Sequence, residues 1–273
     1  MTEVTAPAIA GRKRRNGSAP IVMITAYDTP FARIVDDAGV DIILVGDSVA
    51  DNVLGLERTI DVGIAEMRHH VGAVARARPR ALIVADLPWM SYHGEISETL
   101  KNAAQLVHAG ASAVKLEGGI RRLNHTAALI NAEIPVMGHL GLTPQSVNAM
   151  GGLRVQARDP EAAAELIEDA KALAHAGCFA IVIEGVPDVV ATQVTEVIDV
   201  PTIGIGAGRG CDGQVLVLHD VLGLSSGKRP KFVRAYMDLG SAAKSAVEAY
   251  ASDVRSGAYP GDAETYHATQ QAS

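Results

Sequence analysis

The sequence predicts an α/β protein built as a single closed (β/α)8 barrel, and three observations support this fold class. Short runs rich in β-branched residues recur along the chain from Pro20. Amphipathic stretches that end in glycine follow several of these runs. The runs are apolar on both faces, as in a parallel sheet covered by helices. Eight such units in about 200 residues suit a TIM barrel better than a doubly wound sheet, which is the alternative.

The predicted strands follow one another along the chain. They are 21–28, 41–48, 81–89, 113–119, 135–141, 180–186, 201–208 and 214–223. Glycine-terminated helical patterns cover 29–39, 97–110 and 161–177. Residues 141–160 break the rhythm, because they are long for a loop and rich in glycine and polar residues. We interpret them as either a mobile lid or a surface insertion.

The predicted domain organisation is one catalytic domain with two short terminal segments. The barrel covers residues 20–255, an N-terminal arm covers 1–19, and a polar tail covers 256–273. We interpret the basic run RKRR at 12–15 as part of a solvated arm. No linker-like segment divides the barrel into two domains.

The composition favours a soluble, cytoplasmic protein that acts on small molecules. The 273 residues are 48% hydrophobic and carry a formal net charge of −7, which argues against a nucleic-acid surface. The sequence contains neither a run of roughly 18 apolar residues nor an apolar N-terminal signal segment. Two cysteines without a CxxC pair argue against a disulfide framework and a structural zinc site. We therefore expect small-molecule substrates, with no nucleic acid and no membrane as partners.

Polar side chains occur where the predicted strands end. In a barrel of parallel strands these ends meet at one rim, where active sites lie. The candidates at this rim are Asp28, Asp47, Ser48, Asp86, Lys115, Glu117, His139 and Glu184. Each alone has a structural explanation, since an acid can cap a loop and Lys115 can pair with Glu117. Together, we interpret them as a functional site.

The acids at the ends of strands two, three, four and six predict a divalent cation. Clustered carboxylates repel one another unless cations neutralise them, and one lysine is not enough. Oxygen ligands without a thiolate favour magnesium first and manganese second. We expect Asp47 and Asp86 close to the metal, and Glu117 acting partly through water. Glu184 is then free as a base, and its apolar neighbours would raise its proton affinity.

The predicted site suits removal of a proton from a carbon next to a carbonyl. A general base accelerates a reaction by about 10²–10⁴-fold, which is less than a whole enzyme usually achieves. The enolate charge therefore needs further stabilisation, which the metal and Lys115 can provide.

The alternative enzyme is a magnesium-dependent lyase or aldolase for a 2-oxo acid, and a third interpretation is a barrel that only binds a metal–acid complex. A Schiff base on Lys115 is disfavoured, because the surrounding acids keep the amine protonated.

Several segments occur in the order found in a known family. They are TAYD (25–28), LVGDS (44–48), VADLP (84–88), VKLEGG (114–119), MGHLGLTPQ (137–145), IVIEGVP (181–187), IGIGAG (203–208), DGQVLVLHDVLGL (212–224) and PKFVRAY (230–236). With them the sequence resembles ketopantoate hydroxymethyltransferase from about residue 20 to residue 260. The tail departs slightly, since it reads AYP at 258–260 where FP is expected.

The resemblance implies a (β/α)8 barrel that transfers a hydroxymethyl group from 5,10-methylenetetrahydrofolate to 3-methyl-2-oxobutanoate, giving 2-dehydropantoate for pantothenate synthesis. It also implies a homodecamer. Residues that match the family's magnesium positions are Asp47, Asp86 and Glu117. Residues that match its 2-oxo acid contacts are Asp47, Ser48, Asp86 and Lys115. The proton acceptor matches Glu184, and His139 would line the same pocket.

Overall fold

The computed structural model confirms the predicted barrel, and it describes residues 2–225, 227 and 230–268. The strands are β1 (Ile21–Thr25), β2 (Ile42–Val45), β3 (Leu82–Asp86), β4 (Ala113–Glu117), β5 (Val136–Gly141), β6 (Ala180–Glu184), β7 (Thr202–Ile205) and β8 (Gly213–Leu216). Each strand pairs in parallel with the next, and β8 pairs with β1 to close the barrel. Closure brings all the carboxyl ends of the strands to one rim.

Helices connect most of the strands. In chain order they are α1 (Ala6–Ala10), α2 (Thr29–Asp37), α3 (Val49–Asn52), α4 (Ile64–Ala75), α5 (Ile96–Ala109), α6 (Leu123–Asn131), α7 (Val147–Met150), α8 (Pro160–Ala176), α9 (Asp188–Val197), α10 (Leu218–Leu222) and α11 (Leu239–Ser256). Short 3-10 helices cover Arg14–Asn16, Thr59–Asp61, Ile120–Arg122, Pro144–Ser146 and Asp262–Glu264. The three helices predicted from glycine-terminated patterns are α2, α5 and α8. Among the described residues we find no helix with the length and apolar character needed to cross a bilayer.

The last strand is shorter than predicted. We expected a strand over 214–223, but β8 ends at Leu216 and Leu218–Leu222 form α10. The four residues of β8 are enough to close the barrel, since all of them pair with residues Ile21–Ile24 of β1. The prediction was wrong because a short run of valine and leucine does not by itself distinguish a strand from a helix.

The barrel interior near the amino ends of the strands is apolar. The first residues of β1, β2 and β3, which are Ile21, Ile42 and Leu82, belong to one buried cluster. Ala6 and Ile9 of α1 join the same cluster. Helix α1 therefore packs against this end of the barrel, and residues of the predicted N-terminal arm contribute to the core.

The basic run at 12–15 is not solvated throughout. Only 2% of Lys13 is exposed, and its Nζ lies 2.8 Å from Asp212 Oδ2. The same amine donates to the carbonyl oxygens of Thr195 at 2.7 Å and Val200 at 3.2 Å. The interpretation as a solvated arm was therefore wrong for Lys13. A buried charge is tolerated here because it is both paired and hydrogen-bonded.

The described chain divides into two compact units. One contains the barrel and comprises the residues up to Leu218 together with Pro230–Val233. The other comprises the remaining described residues from His219 onward and contains α11. The predicted domain boundaries at 19/20 and 255/256 stay predictions, and residues 269–273 of the predicted tail lie outside the described residues.

Lys13→Met should lower the free energy of unfolding by about 3–5 kcal/mol, because it leaves the Asp212 carboxylate buried without its charged partner. A urea unfolding curve measures the change. The matched control is Arg58→Met, since Arg58 pairs with Asp61 at the surface and should matter far less. Equal losses of unfolding free energy in the two variants would show that the buried ion pair of Lys13 stabilises the protein no more than a surface pair does.

Candidate active site

One cavity at the carboxyl rim of the barrel brings together seven of the sequence-predicted residues. It has a volume of about 120 Å³. The predicted residues that line it are Asp47, Ser48, Asp86, Lys115, Glu117, His139 and Glu184. They come from β3, β4, β5 and β6 and from the residues that follow β2. The strand-end pattern of the sequence thus corresponds to a shared location.

Asp28 does not line this cavity. It is the N-cap of α2, and its Oδ1 accepts a hydrogen bond from the Phe31 N–H at 2.8 Å. Aspartate is a favoured N-cap because its short side chain satisfies a free backbone donor of the first helical turn. The structural explanation of a strand-end acid is therefore correct at this position.

Lys115 is held by acids from neighbouring strands. The register of β3 and β4 sets Asp86 beside Lys115, and Nζ lies 2.9 Å from Asp86 Oδ1. Burial alone would lower the pKa of Lys115, but the charges of Asp86, Glu117 and Asp47 outweigh burial and raise it. The amine is therefore a cation at neutral pH, which argues against a Schiff-base role.

Asp47 shows that negative charge is in excess. Burial, and then the charges of Asp86 and Glu117, raise the pKa of Asp47 well above its usual range, despite the opposing effects of Lys115 and a hydrogen bond from Gln145. The Asp47 backbone N–H donates to Asp86 Oδ2 at 3.1 Å. One lysine therefore does not balance the three carboxylates.

The donor set fits a hard divalent cation. Asp47, Asp86 and Glu117 are buried oxygen donors from three adjacent strand ends, and a cation among them would offset both their burial and their mutual repulsion. In the part of the chain that the structure describes, no three histidine, cysteine, aspartate or glutamate side chains already form a metal-binding group. Magnesium commonly takes one or two carboxylates and completes its shell with water and substrate oxygens. The residues thus suit a magnesium ion shared with a substrate rather than an all-protein cage.

His139 lies between two glutamates. Its Nδ1 is 3.3 Å from Glu117 Oε1, and its Nε2 is 3.1 Å from Glu184 Oε2. Burial and the charge of Lys115 lower the pKa of His139, but hydrogen bonds to Glu117 and Glu184 and the charge of Glu117 prevail and raise it to about 9. The raised pKa favours the charged form of the ring, and the two glutamates flank it, while Nδ1 also lies 3.2 Å from Lys115 Nζ. The sequence placed Glu184 among apolar neighbours, and the structure adds His139 as its polar partner.

Two buried residues of the site were missed by sequence reasoning. Gln145 donates from Nε2 to Asp47 Oδ2 at 2.8 Å, and its backbone N–H donates to Glu117 Oε2 at 3.0 Å. Tyr92 donates its hydroxyl to Gln145 Oε1 at 2.6 Å. Gln145 belongs to the segment interpreted as a lid or an insertion, and the only signal was that this segment follows a strand at the active rim.

Part of the cavity wall is apolar. Leu44, Val182 and Val215 line it together with the charged groups. Ser48 Oγ lies 2.8 Å from the Tyr27 hydroxyl, a hydrogen bond that orients the serine. A cavity with ionic groups beside alkyl groups suits a small acid with an alkyl chain.

Solved structures share this fold at low sequence identity. A phosphonopyruvate hydrolase superposes with a TM-score of 0.62 at 15% identity, and the match covers 98% of this chain and 92% of that one. A 2,3-dimethylmalate lyase superposes with a TM-score of 0.60 at 19% identity, covering 96% and 92% respectively. These similarities support the barrel fold alone.

Sequence similarity identifies the family, which the similarity of folds does not. A 3-methyl-2-oxobutanoate hydroxymethyltransferase from Methylobacterium sp. (strain 4-46) is 56% identical over 246 residues, which are 90% of this chain and 85% of the relative. A 3-methyl-2-oxobutanoate hydroxymethyltransferase 2 from Bradyrhizobium diazoefficiens is 51% identical over 271 residues, covering 99% and 92%. The family model described as ketopantoate hydroxymethyltransferase matches residues 3–262. The chain therefore belongs to the ketopantoate hydroxymethyltransferase family of enzymes.

Proposed function

We propose that this enzyme transfers a hydroxymethyl group from 5,10-methylenetetrahydrofolate to 3-methyl-2-oxobutanoate, giving 2-dehydropantoate for pantothenate synthesis. The observation that carries the proposal is that a buried lysine, three buried carboxylates and a further glutamate meet in one cavity at the rim. Relatives at 51–56% identity are named 3-methyl-2-oxobutanoate hydroxymethyltransferases, which supports the choice of substrate.

The ionic and alkyl sides of the cavity fit the two ends of 3-methyl-2-oxobutanoate. Lys115 and Ser48 line the cavity where they would contact the oxygens of the keto acid, and the branched alkyl end would pack on the apolar wall. Asp47 and Asp86 would hold magnesium, with Glu117 partly through water. When bound, magnesium supplies positive charge that polarises the keto-acid oxygens.

Glu184 is the proposed base. Its carboxylate lines the cavity and lies 3.1 Å from His139 Nε2, close enough for the imidazole to hold it by charge. Glu184 takes the proton from C3 of the keto acid, and Lys115 stabilises the negative charge of the enolate. The enolate carbon then forms a bond to the methylene carbon of the folate. The bonds from that carbon to the two folate nitrogens break, one water molecule supplies the new hydroxyl group, and tetrahydrofolate leaves.

The composition and net charge support two further proposals, a cytoplasmic location and small-molecule substrates without nucleic acid or membrane. The family resemblance supports a third, a homodecamer of the 28.4 kDa subunit. The alternative function, a magnesium-dependent lyase or aldolase for a 2-oxo acid, uses the same enolate chemistry but needs no folate. Strict dependence of product formation on 5,10-methylenetetrahydrofolate would exclude that alternative.

Glu184→Gln should slow deuterium exchange at C3 of 3-methyl-2-oxobutanoate at least about 100-fold, because a general base contributes about 10²–10⁴-fold. Proton NMR in D2O with Mg²⁺ measures the exchange, and titration calorimetry should show that keto-acid binding is retained. Glu165→Gln, at an exposed glutamate of α8, is the control and should exchange like the wild type.

Two results would decide against this mechanism. Exchange at the wild-type rate in Glu184→Gln would remove Glu184 as the base. No exchange by the wild-type enzyme with Mg²⁺ would overturn the proposed function itself. Chelation of the metal by EDTA should stop wild-type exchange.

Lys115→Met should weaken keto-acid binding in the presence of Mg²⁺ at least about 10-fold, because it removes a charged hydrogen-bond donor. Titration calorimetry measures the affinity, and thermal unfolding measures the loss of the ion pair with Asp86. Lys171→Met is the control, since Lys171 pairs with Glu168 at the surface. Unchanged affinity with a large loss of stability would make Lys115 only a structural partner of Asp86.

A further inference from the structure

Gln145 is buried beside two carboxylates that line the active-site cavity, Asp47 and Glu117, although it comes from a loop. It lies in the 3-10 helix Pro144–Ser146, which follows β5, and 5% of its surface is exposed. A side-chain amide has two N–H donors and one acceptor oxygen, and burying them without partners is costly. The contacts of this amide are therefore informative about its role.

The partners of Gln145 determine which way its amide faces. One N–H of Nε2 points to the Leu87 carbonyl oxygen at 3.0 Å, and that oxygen can only accept. The other donates to Asp47 Oδ2 at 2.8 Å. Oε1 accepts the hydroxyl hydrogen of Tyr92 at 2.6 Å. The amide thus presents a donor, and not its oxygen, to the Asp47 carboxylate.

Tyr92 closes the network at Glu117. Its hydroxyl, which donates to Gln145, accepts the Glu117 backbone N–H at 3.2 Å. The backbone N–H of Gln145 donates to Glu117 Oε2 at 3.0 Å. Tyr92 is 1% exposed, so water does not compete for its hydroxyl. Two loops therefore hold Glu117 at its main chain and at its carboxylate, and they hold Asp47 at one oxygen.

We propose that Gln145 is a positioning residue that holds the Asp47 and Glu117 carboxylates in place for the divalent cation, and that Tyr92 holds Gln145. The inference rests on the proposed function, because it assumes that these carboxylates bind the metal. Hydrogen bonds donated to a carboxylate favour its charged form and restrict its rotation. Without Gln145, two repelling carboxylates would have to remain side by side with one fewer donor between them.

Gln145→Leu removes the side-chain hydrogen bonds but keeps the backbone donor to Glu117. We expect it to bind Mn²⁺ about 10- to 100-fold more weakly than the wild type, as is common for groups that support metal ligands. Titration calorimetry without keto acid or folate measures the affinity directly. Tyr92→Phe removes a single hydroxyl and should weaken Mn²⁺ binding in the same direction by a smaller factor.

Gln156→Leu is the matched control. Gln156 lies in the same connection between β5 and α8, and its Nε2 donates to the exposed Arg154 carbonyl at 2.7 Å. It should bind Mn²⁺ like the wild type. Circular dichroism and thermal unfolding check that each variant is folded, and if Gln145→Leu does not fold, Tyr92→Phe decides the question.

The outcomes separate this inference from the proposed function. Wild-type Mn²⁺ affinity in Gln145→Leu and Tyr92→Phe would overturn the inference while leaving the proposed function intact. A wild-type enzyme that bound no divalent cation would overturn both. Weakened Mn²⁺ binding in the two variants, with Gln156→Leu unchanged, would support the positioning role.

Discussion

The active site depends on the balance of buried charge at the carboxyl end of the barrel. Four carboxylates meet two basic side chains there, Lys115 and His139, and the ion pair between Lys115 and Asp86 spans 2.9 Å. Burial strengthens both attraction and repulsion relative to water. Burial, and then the charges of Asp86 and Glu117, raise the pKa of Asp47 despite the nearby Lys115. The same excess of negative charge accounts for the donors of Gln145 and for the proposed divalent cation.

The apolar core and the charged site lie at different levels along the barrel axis. Apolar residues fill the interior near the amino ends of the strands, where α1 inserts Ile9. This layer holds the strands in register, and the register sets Asp86 beside Lys115 and Glu117 beside His139. A slip of β4 by one residue would turn Lys115 and Glu117 to the opposite face. Correct packing of the apolar layer is therefore required for the charged side chains at the rim to meet their partners.

Much of this arrangement could be predicted from the chain. Alternation on β4 set Lys115 and Glu117 on one face, and strand ends marked the rim residues. Other features could not be predicted, because their causes lie far apart in sequence. Lys13 is 199 residues from Asp212, and Gln145 is 98 residues from Asp47. A basic run and a glycine-rich loop ordinarily indicate solvated surface, and here each contributes a buried partner.

The sequence by itself determined the fold class, the order of the eight strands, three of the helices and the residues at the strand ends, because these follow from local periodicity and glycine caps. Only the tertiary structure decided which donor meets which acceptor. It set His139 between Glu117 and Glu184, and Gln145 between Asp47 and Glu117. The physical reason is that a hydrogen bond acts over about 3 Å, so it requires the barrel register and the loop path that join distant parts of the chain.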